Sequence, residues 1–181
     1  MLQRNKTGTV DATTTSTPAG SIVPPGKNKP TFDRTIDRSL VPDGGLNANN
    51  IQAYAEKLSQ KFGFSAALIL AQVKVESGAD FSDLAHKGDT NRTHDQGGPS
   101  VGPNQITEGV LIGGIWHDGP GGIDLTSQEA ESNPALAMQA GLIHLSDYVK
   151  DTGSIEMALR GYVGHDQDQY IANIRKYGGD I

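Results

Sequence analysis

Residues 65–78, SAALILAQVKVESG, carry the strongest structural signal in this chain of 181 residues. Ser65 is a preferred residue at a helix start and Gly78 is a preferred residue after a helix end, so a helix is predicted from residue 66 to about residue 77. The first half of this helix is apolar on nearly all sides. We therefore expect it to be central and buried in the folded domain.

Further helices are predicted on both sides of this segment. Apolar residues recur at helical spacing from Ile51 to Phe62, after three possible asparagine caps at 47, 49 and 50. The remaining signals are a capping-box pattern at 126–129, an Asn-Pro start at 133–134 for a helix ending near 153, a helix start at 154 and a last helix over about 167–177. Few segments alternate with a period of two residues. The predicted fold class is therefore mainly α.

The overall composition excludes several classes of function. The chain carries 15 Lys and Arg against 21 Asp and Glu, a net charge of −6, and it contains no cysteine. Without cysteine there is no disulfide framework, thiolate metal site or cysteine nucleophile. The acidic balance argues against a nucleic-acid-binding surface, and no run of about 18 or more apolar residues could span a membrane. We predict no cofactor, no metal, no nucleic-acid partner and no membrane span.

The first 45 residues differ in composition from the rest of the chain. Residues 1–50 have a net charge of +2 and hold five of the nine prolines, whereas residues 51–181 have a net charge of −8. Large apolar side chains are too few near the N-terminus to offset the entropy of ordering. Residues 1–45 are therefore predicted to form an extended or disordered arm, and residues 46–181 a helical domain. The arm is either a solvated tail or a segment that docks on a larger assembly.

A glycine-rich region separates the predicted helices of the domain. Residues 88–122 contain ten glycines and three prolines. A long connection of this kind within a small helical domain is usually functional or disordered, and glycine allows a ligand to approach the backbone closely. No phosphate-binding GxxxxGK[ST] motif occurs, which argues against a nucleotide site.

Glu76 is the most informative single residue. It lies near the end of the predicted buried helix, three residues after Val73 and seven after Ile69, and so shares their apolar face. Carboxyl groups on such faces seldom lack a partner or a task, and partial burial would raise the pKa of Glu76 toward neutrality. The alternative is a Glu76 side chain that faces solvent or pairs with Lys74 or Lys87.

Four motifs, in sequence order, resemble those of lysozyme-like lytic transglycosylases. Val75-Glu76-Ser77-Gly78 resembles the ES motif of that family, and Gly102-Pro103-Asn104-Gln105 resembles its GxxQ motif. Ala158-Leu159-Arg160-Gly161-Tyr162 resembles the AYN region, and Tyr170-Ile171 resembles the closing tyrosine motif. The resemblance covers about residues 48–178, and the ordered combination is more specific than any one motif.

The resemblance implies a lysozyme-like helical fold with a long Gly-rich loop region and a peptidoglycan glycan strand as substrate. Glu76 would protonate the bond between N-acetylmuramic acid and N-acetylglucosamine, and would then act as a base while a 1,6-anhydro ring closes without water. The residues implied to bind the substrate are Ser77, Gly102, Gln105, Tyr162 and Tyr170.

Departures from the family pattern leave two alternatives open. Val163 stands where the family usually has asparagine, and Asn104 stands where it usually has methionine. If Asp89 or Asp95 held a water molecule, the protein would be a hydrolytic muramidase, as goose-type lysozymes are. The Val163 departure also fits a catalytically inactive, structural component of a virion.

The cellular setting is inferred from what the sequence lacks. A wall-cleaving enzyme must reach the periplasm, yet no apolar segment of a secretory signal peptide follows Arg4 and Lys6. The resemblance extends to transglycosylases that phages carry in the virion, and residues 1–45 would then attach the protein to tail, baseplate or internal core proteins. An exported accessory factor of a secretion system is the second expectation.

Three weaker patterns do not change these expectations. The alternating oxygen side chains from Asp89 to Asp95 resemble half of a calcium loop, but His94 and Ser100 replace the expected glycine and glutamate. Three His-Asp dipeptides occur without an HExxH motif, so no zinc site is predicted. Trp116 could either stack on a sugar ring or anchor the loop.

Overall fold

The computed structural model describes residues 32–85, 100–107 and 123–181. Within these ranges the protein is mainly helical, which confirms the predicted fold class. A short 3-10 helix, Arg38–Leu40, precedes the α-helices. The helices are α1 (Ile51–Phe62), α2 (Ala66–Ser77), α3 (Ser127–Ser132), α4 (Pro134–Thr152), α5 (Ile155–Val163) and α6 (Gln167–Lys176), and a two-residue antiparallel hairpin pairs β1 (Ser100–Val101) with β2 (Ile106–Thr107).

The helix starts follow the local signals closely. Side chains of three predicted cap residues, Ser65, Asn133 and Ser154, accept backbone N–H bonds in the first turns of α2, α4 and α5. Thr126 and Glu129 form the complete reciprocal capping box at α3. The start of α1 differs, because the Asn50 side chain accepts from the Asn47 backbone N–H and makes no bond into the helix.

The most buried helix is α4 rather than α2. Twelve of its residues are buried, among them the small residues Ala137, Ala140 and Gly141, whereas α2 has six buried residues. Small side chains allow neighbouring elements to approach closely, and α4 contacts α1, α3, α5 and β2. The α2 helix packs against α1 and α6, so it is buried on one side and leaves its last turn at the edge of the core.

Residues 32–45, which the sequence assigns to the arm, lie against the helical domain. Lys61 of α1 pairs with Asp33 at 2.7 Å, and Arg34 pairs with Asp147 of α4. The buried Gln139 amide binds both backbone groups of Asp37: its Oε1 accepts from the Asp37 N–H at 2.8 Å and its Nε2 donates to the Asp37 carbonyl at 2.9 Å. Composition alone misses these bonds, because each needs a specific partner far along the chain. The rest of the predicted arm, 1–31, lies outside the described residues.

Replacement of Gln139 by Met tests this attachment. The variant removes both bonds to Asp37 and the 2.9 Å bond from Nε2 to the Tyr54 hydroxyl oxygen. Buried partners left unsatisfied should lower the free energy of unfolding by about 2 kcal/mol. Urea unfolding measures this loss, and amide hydrogen exchange around residue 37 should become faster. Unchanged exchange there would show that Gln139 does not hold the segment.

Candidate active site

Glu76 lies in the last turn of α2 and is partly buried. The Tyr170 hydroxyl of α6 donates a hydrogen bond of 2.7 Å to Glu76 Oε1. Burial raises the pKa of the Glu76 carboxyl from 4.5 to about 7, and the Tyr170 hydrogen bond opposes that rise because it stabilises the carboxylate. A carboxyl group with a pKa near neutrality can both release and accept a proton at physiological pH.

No charged side chain among the described residues offsets the effect of burial on the pKa of Glu76. Among the ion pairs of the described residues, none involves Glu76. The Lys74 ammonium lies instead over the rings of Phe81 and Tyr177, at 5.4 and 6.0 Å from their centroids. The alternative of a Glu76–Lys74 pair is therefore not observed, while Lys87 lies outside the described residues.

The Gly102–Gln105 motif forms the turn of the β1–β2 hairpin. The Gln105 backbone N–H donates to the Gly102 carbonyl at 3.0 Å, and the Gln105 side-chain Nε2 donates to the same oxygen at 2.9 Å. Gln105 has a φ of 47°, which is unusual for a residue with a Cβ. The side-chain bond helps to hold this conformation, so the amide is engaged within its own turn.

Side chains from α2 and α5 attach the turn to the helices. The buried Ser77 hydroxyl, next to Glu76, donates to the Pro103 carbonyl at 2.8 Å. The Tyr162 hydroxyl of α5 donates to the Asn104 carbonyl at 2.7 Å. Both bonds end on backbone carbonyls of the turn. They fix the turn beside the end of α2 and close to α5.

Close backbone approaches determine which residues fit in the turn. A Cβ on Gly102, whose φ is 73°, would lie 2.4 Å from the Ala137 Cβ of α4. A Cβ on Gly141 would lie 2.6 Å from the Asn104 Cβ. Real Cβ atoms do not approach so closely, so glycine is required for the turn to pack on α4.

The predicted site residues occupy one region at the end of α2, but they mostly contact one another. Tyr170 binds Glu76, Ser77 and Tyr162 bind the turn, and Gln105 binds Gly102. The role of these residues in substrate binding stays a prediction. Their observed role is to position Glu76 and the turn relative to one another.

Two residues of this region, Gln72 and Asn104, carry no predicted role. Both side chains are fully buried, and Asn104 Nδ2 donates to Gln72 Oε1 at 3.0 Å. A local signal for Gln72 does exist: it is an amide within an apolar helix, four residues before Glu76 and hence on the same face. The pairing with Asn104 has no local signal, because 32 residues separate the two.

Several predictions concern residues that the structure does not describe. Asp89, Asp95 and Trp116 lie outside the described ranges, as does the candidate cation loop. Within the described ranges, no group of three or more His, Asp and Glu side chains could hold a metal ion. No described helix is both long and apolar enough to cross a membrane.

A separate cleft of about 390 Å³ lies on the face of α4 that meets the N-terminal segment. It does not include any of the predicted site residues. His144 connects the two regions, since its ring contacts the Tyr162 ring at a centroid distance of 5.4 Å. The residues lining the cleft are Arg34, His144, Asp147, Tyr148, Lys150 and Asp151.

Fold and site together define a mainly helical protein with a partly buried carboxyl group at a helix end, whose pKa is raised to about 7. Comparison of the chain with protein-family models, curated proteins and solved structures finds no match.

Replacement of Tyr170 by Phe tests the electrostatics of the site. The variant removes the hydrogen bond that stabilises the Glu76 carboxylate, so the pKa of Glu76 should rise above about 7. A bond to a charged group of this kind corresponds to about one pH unit in the titration midpoint. Carbon-13 NMR of the Glu76 carboxyl measures the midpoint. A midpoint unchanged or lowered in Tyr170→Phe would contradict the assigned hydrogen bond.

Proposed function

We propose that the protein is a peptidoglycan lytic transglycosylase with a lysozyme-like fold, in which Glu76 acts as acid and then as base. The observation that carries the proposal is the partly buried Glu76 carboxyl, whose pKa is raised to about 7 beside the hairpin turn. The ordered resemblance of four sequence motifs to those of lytic transglycosylases supports it. In this proposal, five residues shape the substrate-binding region next to Glu76: Ser77, Gly102, Gln105, Tyr162 and Tyr170.

The proposed reaction uses one carboxyl group twice. The protonated Glu76 gives its proton to the glycosidic oxygen, and the bond from that oxygen to C1 of N-acetylmuramic acid breaks with its electron pair on the oxygen. The Glu76 carboxylate then takes the proton of the C6 hydroxyl, and O6 bonds to C1 to form the 1,6-anhydro ring. The carboxyl group ends protonated, and no water enters. A pKa near 7 suits both steps, because neither protonation state is strongly disfavoured.

Product analysis tests this proposal. Purified peptidoglycan is incubated with the wild-type protein and with Glu76→Gln, and the released sugars are identified by mass spectrometry. Anhydro-ended products that are absent with Glu76→Gln are the expected result. Reducing-ended products would overturn the transglycosylase in favour of a hydrolytic muramidase, and no release by the wild type at several pH values would favour a structural role.

The proposed setting is a phage particle, with residues 1–45 attaching the protein to tail, baseplate or internal core proteins. The slightly basic, Pro-rich composition of residues 1–45 contrasts with the acidic helical domain and supports an attachment role. Because residues 32–45 lie against that domain, the attachment itself would fall to residues 1–31. Attachment would also remove the need for electrostatic attraction between an acidic enzyme and an anionic wall polymer. Detection of the chain in purified virions by mass spectrometry tests the setting, and its absence from them would contradict it.

A further inference from the structure

The hairpin turn is attached to α2 at two points, one before and one after Glu76 along the helix. After it, the Ser77 hydroxyl donates to the Pro103 carbonyl of the turn at 2.8 Å. Before it, Gln72 Oε1 accepts from the Asn104 side-chain Nδ2 at 3.0 Å. Gln72 and Asn104 are both completely shielded from solvent, and the proposed reaction uses neither side chain. Buried amides are costly, so a pair of them in an apolar core needs a physical reason.

Asn104 joins the turn to three helices. Its side chain donates to Gln72 of α2, and its backbone carbonyl accepts the Tyr162 hydroxyl of α5 at 2.7 Å. It also packs closely on α4, because a Cβ on Gly141 would lie 2.6 Å from the Asn104 Cβ. Movement of the turn along any one of these helices would therefore break a contact with another.

The hairpin itself provides little that fixes its place on the helices. Its two strands pair only Ser100 with Thr107 and Val101 with Ile106. Val101 and Ile106 are buried, but apolar contacts are non-directional and tolerate small shifts. A hydrogen bond between two buried amides is directional, because it forms only when donor and acceptor are aligned, and misalignment leaves buried polar atoms unpaired.

We propose that Gln72 and Asn104 are positioning residues, which fix the place of the hairpin turn on α2 and thereby the placement of Gln105 relative to Glu76. The single bond from Ser77 would leave the turn able to pivot, and the second bond removes that freedom. Selection of one arrangement among several of similar stability is an attested role of buried polar groups. The placement of the turn does not depend on the proposed function. Its effect on catalysis does rest on that function.

The main test compares stability with conformation in the substrate-free protein. Gln72→Met combined with Asn104→Leu replaces both amides by apolar side chains of similar size and strands neither partner, so the urea unfolding midpoint should stay close to the wild-type value. The side-chain amide of Gln105 should give one set of nitrogen-15 NMR signals in the wild type. In the double variant we expect a second set or marked broadening, because the turn adopts more than one position.

Gln72→Glu is the conservative variant that should rescue the position of the turn. Only the Oε1 atom of Gln72 has a hydrogen-bond partner among the described residues, so a protonated carboxyl group keeps the acceptor that Asn104 uses. Burial favours the protonated form, which is therefore present at pH 4. We expect one set of Gln105 signals at that pH, and a second set would contradict the role of the Gln72 oxygen.

Gln139→Met is the matched control. Gln139 is another fully buried amide, but its bonds go to Tyr54 and Asp37 and not to the turn. This variant should lower the melting temperature and leave a single set of Gln105 signals. A single, wild-type set in Gln72→Met/Asn104→Leu, or an equal disturbance in Gln139→Met, would overturn the proposal.

The proposed reaction provides a second readout. If the turn contacts the glycan next to Glu76, its misplacement should lower kcat for sugar release by about ten- to a hundred-fold in Gln72→Met/Asn104→Leu, with a smaller change in KM. Gln139→Met, assayed below its melting temperature, should keep the wild-type kcat. An unchanged kcat in the double variant would contradict the catalytic consequence.

The two proposals can fail separately. If the wild-type protein releases no sugars but the Gln105 signals change as expected, the positioning role stands and the transglycosylase proposal fails. If sugars are released and the Gln105 signals do not change, the reverse holds. Should the double variant not fold, Gln72→Met alone removes the acceptor, and a single wild-type set of Gln105 signals there would equally overturn the positioning role.

Discussion

Glu76→Gln is expected to reduce glycan cleavage by about a thousand-fold and, at the same time, to make the folded protein more stable at pH 8. The loss of activity follows from the proposed reaction, in which Glu76 is the group that donates and accepts the proton; a positioned acid or base typically contributes a factor of about 10² to 10⁴. Glutamine has nearly the same shape but cannot exchange a proton in this pH range.

The gain in stability follows from the titration of Glu76. The pKa of this carboxyl rises from 4.5 to about 7 on folding, chiefly because burial disfavours the charged form. The contribution of the protonated Glu76 carboxyl to the free energy of unfolding is fully present below pH 4.5. It is lost as the pH rises through about 7. The loss amounts to at most about 3 kcal/mol at pH 8, and an uncharged glutamine does not incur it.

Urea unfolding at pH 4 and pH 8 measures this difference. The free energy of unfolding of Glu76→Gln should exceed that of the wild type at pH 8 and match it closely at pH 4. Glu156→Gln is the control of opposite sign: hydrogen bonding to Arg160 is the main cause that lowers the pKa of Glu156, so this variant should not gain stability at pH 8. A Glu76→Gln protein no more stable than the wild type at pH 8 would show that Glu76 is not buried as described.

Gly102→Ala is expected to lower the free energy of unfolding by about 2 to 4 kcal/mol. Overpacking costs about 1 to 3 kcal/mol because the new Cβ would lie 2.4 Å from the Ala137 Cβ. A further cost of about 1 kcal/mol arises because alanine disfavours the φ of 73° found at this position. The turn would move away from α4, and the Ser77 and Tyr162 hydrogen bonds to it would weaken.

A second substitution separates the two causes. Ala137→Gly removes the atom that Gly102→Ala would strike, at a cost of its own of about 1 kcal/mol for glycine within a helix. The double variant should therefore be less destabilised than the two single changes added together, and it should retain only the strain from the positive φ and the cost of glycine within α4. Urea unfolding of all four proteins measures this coupling. Strict additivity would contradict the close approach of the hairpin to α4.

The helix boundaries were predictable from the sequence because the interactions that define them are local. A cap such as Ser65 or Asn133 bonds to backbone groups two or three residues away, and Gly153 ends α4 with a left-handed conformation available at low cost. The partial burial of Glu76 was also predictable. Its distance from Ile69 along a helix determines which face it shares, whatever the rest of the chain does.

Composition was a poorer guide to residues 32–45. Their polar and proline-containing sequence indicates an arm, yet the structure holds Asp37 against Gln139 and Asp33 against Lys61. These bonds join residues 102 and 28 positions apart. An average over a window of sequence does not register one amide that pairs with a distant backbone.

The environment of Glu76 depends on how the helices pack. Tyr170 lies 94 residues from Glu76, and Asn104 lies 32 residues from Gln72, so neither hydrogen bond has a signature in sequence spacing. The sequence alone specifies a carboxyl group on an apolar helix face, because helical periodicity is a local property. Tertiary packing decides that a phenol O–H meets that carboxyl group, because α2, α6 and the hairpin come together only in the folded core.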